Sequence, residues 1–249
     1  MSLNRVVHVE HIWGTVVSID VRLFRAKRAE AQLAIEEVVQ WLNDVDTVFS
    51  TFKSDSIISQ LRDGRMNIDD VDAGVADVIA RCERIRDLTN GLFDPWSVEG
   101  GFDPSGLVKG WAADRAAEIL SGHGLRDFMI NAGGDVTVRG KAGKDEKWII
   151  GIQHPYLPGQ ICESVSVANG AVATSGLYER GEHITSPDNS PIKATSATVI
   201  GPDCATADAL ATALLIAGRA GVEWFKKLPN WSGLIVDGDS TVSWGPAFA

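Results

Sequence analysis

Several features are scarce in this 249-residue chain, and each scarcity excludes a class of protein. The three cysteines, Cys82, Cys162 and Cys204, lie far apart without CxxC spacing, which argues against a disulfide framework and against a zinc site. Lys and Arg number 23 against 33 Asp and Glu, so the formal net charge is −10. Binding along a nucleic acid or an anionic membrane surface needs a basic face, so we expect no nucleic-acid partner.

The sequence also lacks an uninterrupted apolar run long enough to cross a bilayer, so we expect no membrane span. Its first residues lack the apolar core and cleavage site of a signal peptide. We therefore expect a cytoplasmic protein, or an exported form whose leader has been removed. Internal repeats, low-complexity tracts and long linkers are absent, which predicts one domain over residues 1–249.

The apolar pattern that is present predicts an α+β fold. Residues 28–43 and 70–89 carry apolar side chains at helical spacing, and a further helix is predicted from Trp111 onward. Strict alternation predicts a half-buried strand over 13–23. Most other predicted strands lie in the second half of the chain, around a helix over 206–217. Helices early and hairpin-like strands late favour α+β over a doubly wound sheet.

One stretch combines a turn, a lysine and the start of a helix. Residues 103–106 read Asp-Pro-Ser-Gly, which is typical of a turn, and Lys109 stands directly before Gly110. Gly110 would allow close backbone approach to a ligand. The free N–H groups of a helix start, together with the charge of Lys109, suit an anion such as phosphate. A loop leading into an ordinary helix with a solvated lysine explains the same residues.

A second candidate site is the pair Asp208 and Thr212, four residues apart and therefore on one face of the predicted helix. A carboxylate and a hydroxyl there offer two hard oxygen ligands to Mg²⁺ or Ca²⁺. The alternative is an Asp favoured by the helix dipole and a Thr bonded to its own helix backbone.

Two weaker signals lie on predicted turns or loops. The segment Asn131-Ala-Gly-Gly-Asp135 permits close backbone approach to a ligand, but it is equally a plain β-turn. His183 on a polar loop has the chemistry of a general base near neutral pH, although a lone histidine rarely has that role.

Taken in order, these motifs resemble the ApbE family, the FAD:protein FMN transferases. The resemblance covers nearly the whole chain and is carried by Ser50-Thr-Phe-Lys-Ser-Asp-Ser56, Gly91-Leu-Phe-Asp-Pro95, the Asp-x-x-Gly-x-x-Lys-Gly segment at 103–110, Asn131-Ala-Gly-Gly-Asp135, Thr174-Ser-Gly176, His183 and Asp208-Ala-Leu-Ala-Thr212. It implies an ApbE-like α+β fold of mixed sheets, with a T-fold-like portion and flanking helices. It also implies a Mg²⁺-dependent enzyme (or one using another divalent cation) that transfers the FMN half of FAD to a Ser or Thr hydroxyl of an acceptor flavoprotein, with release of AMP.

The resemblance assigns roles by position. Asp208 and Thr212, with the Gly106 carbonyl, would bind the metal, and His183, Lys109 and Asp208 would assist catalysis. The residues that would contact FAD are Trp13, Phe52, Leu92, Phe93, Asp94, Asp103 and Lys109. Family members usually read His-x-x-Asp-Pro-Arg-Thr-Gly after the histidine, whereas this chain has His183-Ile-Thr-Ser-Pro-Asp-Asn-Ser190. Two alternatives therefore stay open, an FAD pyrophosphatase that forms FMN and AMP and an FAD-binding protein without catalysis.

Overall fold

The computed structural model describes residues 4–24, 26–177, 186–187, 190–238 and 240–248. Its helices are α1 (Arg28–Phe49), α2 (Ile57–Arg62), α3 (Ala73–Leu88), α4 (Ser105–Gly122), α5 (Cys204–Ala217) and α6 (Val222–Phe225). Its strands are β1 (Arg5–Ile12), β2 (Thr15–Arg22), β3 (Phe128–Ala132), β4 (Asp135–Arg139), β5 (Trp148–Gln153), β6 (Ile161–Val167), β7 (Gly170–Gly176), β8 (Ser196–Gly201), β9 (Ser232–Asp237) and β10 (Ser240–Trp244). The predicted α+β class is confirmed.

Eight strands form one sheet in the order β1-β2-β3-β4-β7-β8-β9-β10, and β5 and β6 form a separate hairpin. Neighbouring strands are antiparallel in every pairing of the described residues. Successive side chains of a strand point to opposite faces. On β7, Val172 packs in one cluster with Trp148 of the hairpin, while Ala173 packs with Leu210 of α5. The sheet thus lies between the hairpin on one face and the helices on the other.

The first hairpin differs from the prediction, which placed a strand across 13–23 and none before it. In the structure β1 pairs along its whole length with β2, and Trp13 and Gly14 form the turn with φ values of 56° and 67°. Two residues with positive φ are what a two-residue hairpin turn of the right twist requires. The strand β1 was missed because it lies at the sheet edge with Val7 and Val9 exposed, so its apolar pattern is weak.

The start of α4 also corrects the prediction. The helix begins at Ser105 rather than near Trp111, so Lys109 lies inside its second turn and not in a glycine loop. The Asp103 carboxylate accepts a hydrogen bond from the Ser105 N–H at 2.9 Å, which satisfies one of the unpaired donors at the helix start. Gly110 does permit a close approach, but its neighbour is another helix: a Cβ there would lie 2.7 Å from the Ala205 nitrogen of α5.

The segment from Cys204 to Phe225 is long and apolar enough, by length and composition alone, to cross a membrane. In the fold, 78% of its most apolar 18-residue window is buried, which is also typical of the core helix of a protein that does not span a membrane. The length and apolar composition of this segment are therefore weak support for a membrane span. The prediction that no stretch reaches that length and composition is therefore not confirmed.

Candidate functional site

A cleft of about 270 Å³ lies where the N-terminal part of α4, the face of α5 and the ends of β3 and β7 meet. Its lining includes Leu92, Phe93, Asp94, Asp103, Gly106, Lys109, Thr174, Ser175, Asp208 and Thr212. These residues come from segments more than 100 positions apart in the chain. The structure thus brings together the predicted phosphate-binding segment and the predicted metal-binding pair.

Among the described residues that line the cleft, Lys109 carries the positive charge, and two carboxylates hold it. Its Nζ forms an ion pair with the Asp135 carboxylate and lies 3.5 Å from Oδ2 of Asp208. The side chains of Asp135 and Asp208 are only 1% and 5% exposed, so their charges are removed from water. A buried carboxylate of this kind requires a cation or hydrogen-bond donors nearby. Asp135 has Lys109 as its cation, and its Oδ1 accepts the Thr174 N–H at 3.2 Å. Lys109 is therefore held at a fixed position facing the cleft.

Thr212 lies one turn beyond Asp208 on α5 and also faces the cleft. Its Oγ1 lies 3.0 Å from the hydroxyl of Ser175 on β7, so it is bonded across to the sheet and not back to its own helix. Gly106 of α4 faces it: a Cβ on Gly106 would stand 3.9 Å from Thr212 Oγ1 and 3.2 Å from the Phe93 ring. The glycine therefore keeps the space between the two helices open for a ligand.

This donor set fits a hard divalent cation bound together with a phosphate. Asp208 supplies a carboxylate oxygen and Thr212 a hydroxyl oxygen, with α4 at Gly106 alongside. Across the residues that the structure describes, no group of three or more His, Cys, Asp or Glu side chains is arranged to hold a metal ion. The described residues therefore do not supply a full set of metal ligands. Mg²⁺ does not require one, because it commonly binds one or two carboxylates and takes its other ligands from water and substrate phosphates.

The segment between α3 and α4 forms the opposite wall of the cleft. Phe93 is buried and Leu92 partly buried, which gives an apolar surface. Asp94 is engaged in the local turn, because it accepts the Trp96 N–H at 3.0 Å and pairs with Arg86 at 3.1 Å. Each predicted FAD-contacting residue of this segment does line the cleft, but the Asp94 carboxylate has structural partners already.

A second cavity of about 340 Å³ adjoins the first and shares Thr51, Phe52, Ser105 and Lys109 with it. Trp13 lies in this second cavity and not in the first. Its indole Nε1 is buried and has no hydrogen-bond partner among the described residues. Phe52 contributes to both cavities and is 98% exposed. The two predicted aromatic contacts therefore share one apolar neighbourhood next to Lys109.

His183 lies outside the described residues, so its role as a base stays a prediction. Two further residues of the candidate site, Asp135 and Ser175, were not assigned from the sequence. Asp135 ends the Asn-Ala-Gly-Gly-Asp segment, which was interpreted as a plain turn; Gly133 and Gly134 do form that turn, with φ values of 63° and 104°. Ser175 stands within Thr174-Ser-Gly176 and carried no independent signal. An acidic residue directly after a glycine pair is the local feature of Asp135, and the sequence did not show that Lys109 is its partner.

The arrangement can bind and polarise a diphosphate. The Lys109 ammonium would offset negative charge on phosphate oxygens, and a cation between Asp208 and Thr212 would offset more. The apolar walls around Phe93 and Phe52 suit an aromatic ring system. A dinucleotide carries both of these chemical parts.

Comparison with known proteins gives matches to one family. The family model described as "ApbE family" matches residues 13–99 and 97–235. A Vibrio cholerae protein named FAD:protein FMN transferase is 33% identical over 129 residues, which cover 47% of this chain and 39% of that protein. An Escherichia coli K12 protein of the same name is 31% identical over 159 residues, covering 57% of this chain and 44% of that protein. The matched segments thus span less than half the length of these relatives.

A solved structure gives the same fold over nearly the full length. The crystal structure of an ApbE protein from Thermotoga maritima superposes with a TM-score of 0.84, at 24% identity, over 96% of each chain. At that identity the likeness shows the fold alone, while the family model covers most of the sequence. The chain therefore belongs to the ApbE family.

Proposed function

We propose that this chain is an FAD:protein FMN transferase that moves the FMN part of FAD to a Ser or Thr hydroxyl of an acceptor flavoprotein and releases AMP. The observation that carries the proposal is the position of Lys109, which is fixed between two buried carboxylates in the lining of a cleft that Thr212 and Gly106 also line. The named activity of the V. cholerae and E. coli relatives supports it.

In the proposed reaction the acceptor hydroxyl oxygen attacks the phosphorus of the FMN half. A new P–O bond forms, the diphosphate P–O bond breaks, the hydroxyl proton goes to a base, and AMP leaves with the bridging oxygen. Such transfers depend on charge neutralisation and in-line positioning more than on covalent help from the protein. Lys109 would offset negative charge on the diphosphate, and its two ion pairs hold the ammonium in place before the substrate arrives.

We further propose that Asp208 and Thr212, with the Gly106 carbonyl, hold a Mg²⁺ ion. When bound, the ion would neutralise phosphate charge and stabilise the departing AMP. The side chains of Phe93, Leu92 and Phe52 would hold the rings of FAD, and Trp13 would contact them from the adjoining cavity.

A mass-spectrometric assay with FAD and Mg²⁺, run with and without an acceptor domain that bears a flavinylation threonine, tests this function. The expected result is an acceptor heavier by one FMN plus an equal amount of AMP, with neither product when the acceptor is omitted. Free FMN and AMP without acceptor would indicate a pyrophosphatase instead. Tight FAD binding without AMP under either condition would indicate a binding protein.

The variant Lys109→Met tests whether the Lys109 ammonium contributes to the transfer reaction. We expect transfer to fall about 10²- to 10³-fold, because a preorganised charge at the reacting phosphates is removed. The matched control is Lys226→Met, since Lys226 pairs only with Glu223 at the surface. A Lys109→Met enzyme with wild-type activity would contradict the assigned role.

A further inference from the structure

Asp114, on α4 five residues after Lys109, has no part in the chemistry proposed above, yet its carboxylate joins the two helices of the site through two hydrogen bonds. Its Oδ2 accepts the backbone N–H of Cys204 at 2.8 Å and that of Ala205 at 3.0 Å. These are the first two residues of α5. A helix start leaves such donors without internal partners, so a carboxylate from another helix satisfies them and also meets the positive end of the dipole.

The N-terminus of α5 does not need this carboxylate to begin the helix. Asp203 already serves as the N-cap, because its side chain accepts the Thr206 N–H at 2.9 Å. Asp114 therefore adds a fixed attachment between α4 and α5 in addition to the helix's own cap. Its second oxygen lies 3.4 Å from the hydroxyl of Thr137 on β4, which ties the same carboxylate to the sheet.

The attachment lies where the helices are closest. Gly110, one turn before Asp114, has no room for a side chain against the backbone of Cys204 and Ala205. One turn after Cys204 comes Asp208, whose Oδ2 is 3.5 Å from Nζ of Lys109. A small rotation or slide of α5 would therefore change the distance between these two charges directly.

We propose that Asp114 is a positioning residue: it fixes the register of α5 against α4 and so sets where Asp208 lies relative to Lys109. The inference rests on the proposed function for its catalytic consequence, while the structural attachment can be measured without it. Among the described residues, the hydrogen bonds of Asp114 go to the backbone of α5 and to the Thr137 hydroxyl, and not to the proposed phosphate-binding or metal-binding groups.

The ionisation of Asp114 supports this role. Burial raises its pKa from 3.8 to about 6, opposed by the two backbone N–H donors; Asp203 raises it and Arg139 lowers it. The other groups at this junction are the Thr137 hydroxyl and the Cys204 thiol, whose own pKa is raised above its ordinary value by burial and by neighbouring carboxylates. Since both strong bonds end on the carboxylate, we expect the attachment to weaken as pH falls through about 6.

The raised pKa of Asp114 also predicts how its carboxyl affects the stability of the fold, which distinguishes a positioning role from a stabilising one. The pKa of this carboxyl is about 6 in the folded chain, against an ordinary value of 3.8, so the folded chain binds more protons between those limits. The contribution of Asp114 to stability therefore falls as pH rises through them. Above pH 6 the ionised carboxylate is therefore not a stabilising charge. A neutral isostere should leave the melting temperature at pH 7.5 unchanged or higher, although it weakens the attachment.

The experiment compares Asp114→Asn and Asp114→Ala with wild type and with Glu118→Gln, a control on the same helix whose side chain pairs only with exposed Arg115. We expect kcat for FMN transfer at pH 7.5 to fall about 10-fold in Asp114→Asn and about 10²-fold in Asp114→Ala, because small misplacements of a catalytic array are costly. KM for FAD should change less than kcat. We expect wild-type activity to fall as the pH drops through about 6. This fall should be absent from the pH profile of Asp114→Asn, and Glu118→Gln should match wild type throughout.

Amide hydrogen exchange at Cys204 and Ala205 measures the attachment without any turnover. Faster exchange at these two amides in Asp114→Ala, with an unchanged melting temperature for Asp114→Asn, is the expected result. If wild type transfers no FMN, the proposed function is wrong, and the exchange data still decide the positioning role. Unchanged exchange in Asp114→Ala, or Asp114→Asn with wild-type kcat and an unchanged pH profile, would overturn it.

Discussion

The two helices that form the site, α4 and α5, contribute to it in opposite ways. One side of α4 is polar and exposed, so a charged residue on it, such as Arg115, is explained by water alone. In α5, twelve residues are buried, and the only charged one among them is Asp208. An ionised carboxylate in such surroundings is costly unless it has a partner, and α4 supplies Lys109. A charge on a helix with no polar face is therefore the stronger indicator of function.

The largest expected effect is that of replacing Asp208, the buried charge of α5. Replacing Asp208 by Asn keeps the shape but removes the charge and the proposed metal ligand, so we expect FMN transfer to fall about 10³-fold. The free energy of unfolding should change by less than about 1 kcal/mol, because Lys109 keeps its ion pair with Asp135. Urea unfolding and the mass-spectrometric transfer assay measure the two quantities. Wild-type turnover by this variant would remove Asp208 from the site.

A second pair of variants concerns the contact between the helices. A Cβ at Gly110 would meet the backbone of α5, whereas nothing lies within 4 Å of a Cβ at Gly122 on the same helix. We expect Gly110→Ala to lower the free energy of unfolding by about 2–3 kcal/mol through overpacking. Gly122→Ala should raise it by about 0.5–1 kcal/mol, because Ala favours a helix. Equal unfolding midpoints in urea for the two variants would mean that the helices are not held this closely.

The smallest expected effect tests which threonine of α5 takes part. Thr212→Val removes the hydroxyl that faces Gly106, and we expect the Mg²⁺ concentration for half-maximal activity to rise about tenfold, the loss expected for one polar ligand interaction. Thr206→Val is the matched control, since Thr206 lies on the same helix outside the cleft lining. Titration of activity with Mg²⁺ distinguishes them; the same midpoint for both would contradict the proposed ligand.

The sequence allowed correct prediction of most helices and of the late strands, because burial imposes a period on the apolar residues of each element. It failed where burial gives little signal. The edge strand β1 exposes Val7 and Val9, and the start of α4 contains Pro104 and two glycines that are typical of a turn. At the start of α4, the hydrogen bond from the Ser105 N–H to Asp103 and the packing against α5 stabilise the helix. The prediction of one domain over residues 1–249 stays a prediction.

For the site, the motifs supplied the parts but not their arrangement. Asp208 and Thr212 could be paired from their spacing, since four residues make one helical turn. Their proximity to Lys109 followed only from the family resemblance, because side chains about 100 residues apart meet only through tertiary packing. The roles of Asp135 and Asp114 could not be inferred from local sequence, since each depends on a partner from a distant element.

The sequence by itself determined the α+β class, the apolar faces of the helices and the residue types available for phosphate and metal. Those properties depend on neighbours a few residues apart, which the chain order specifies directly. Only the tertiary structure decided that Gly110 faces a helix instead of a ligand, that Asp135 holds Lys109, and that Asp114 bonds to the start of a second helix. The reason is physical: a buried charge or a free N–H group is satisfied by whichever partner the packing brings within about 3 Å, and packing is a property of the whole chain.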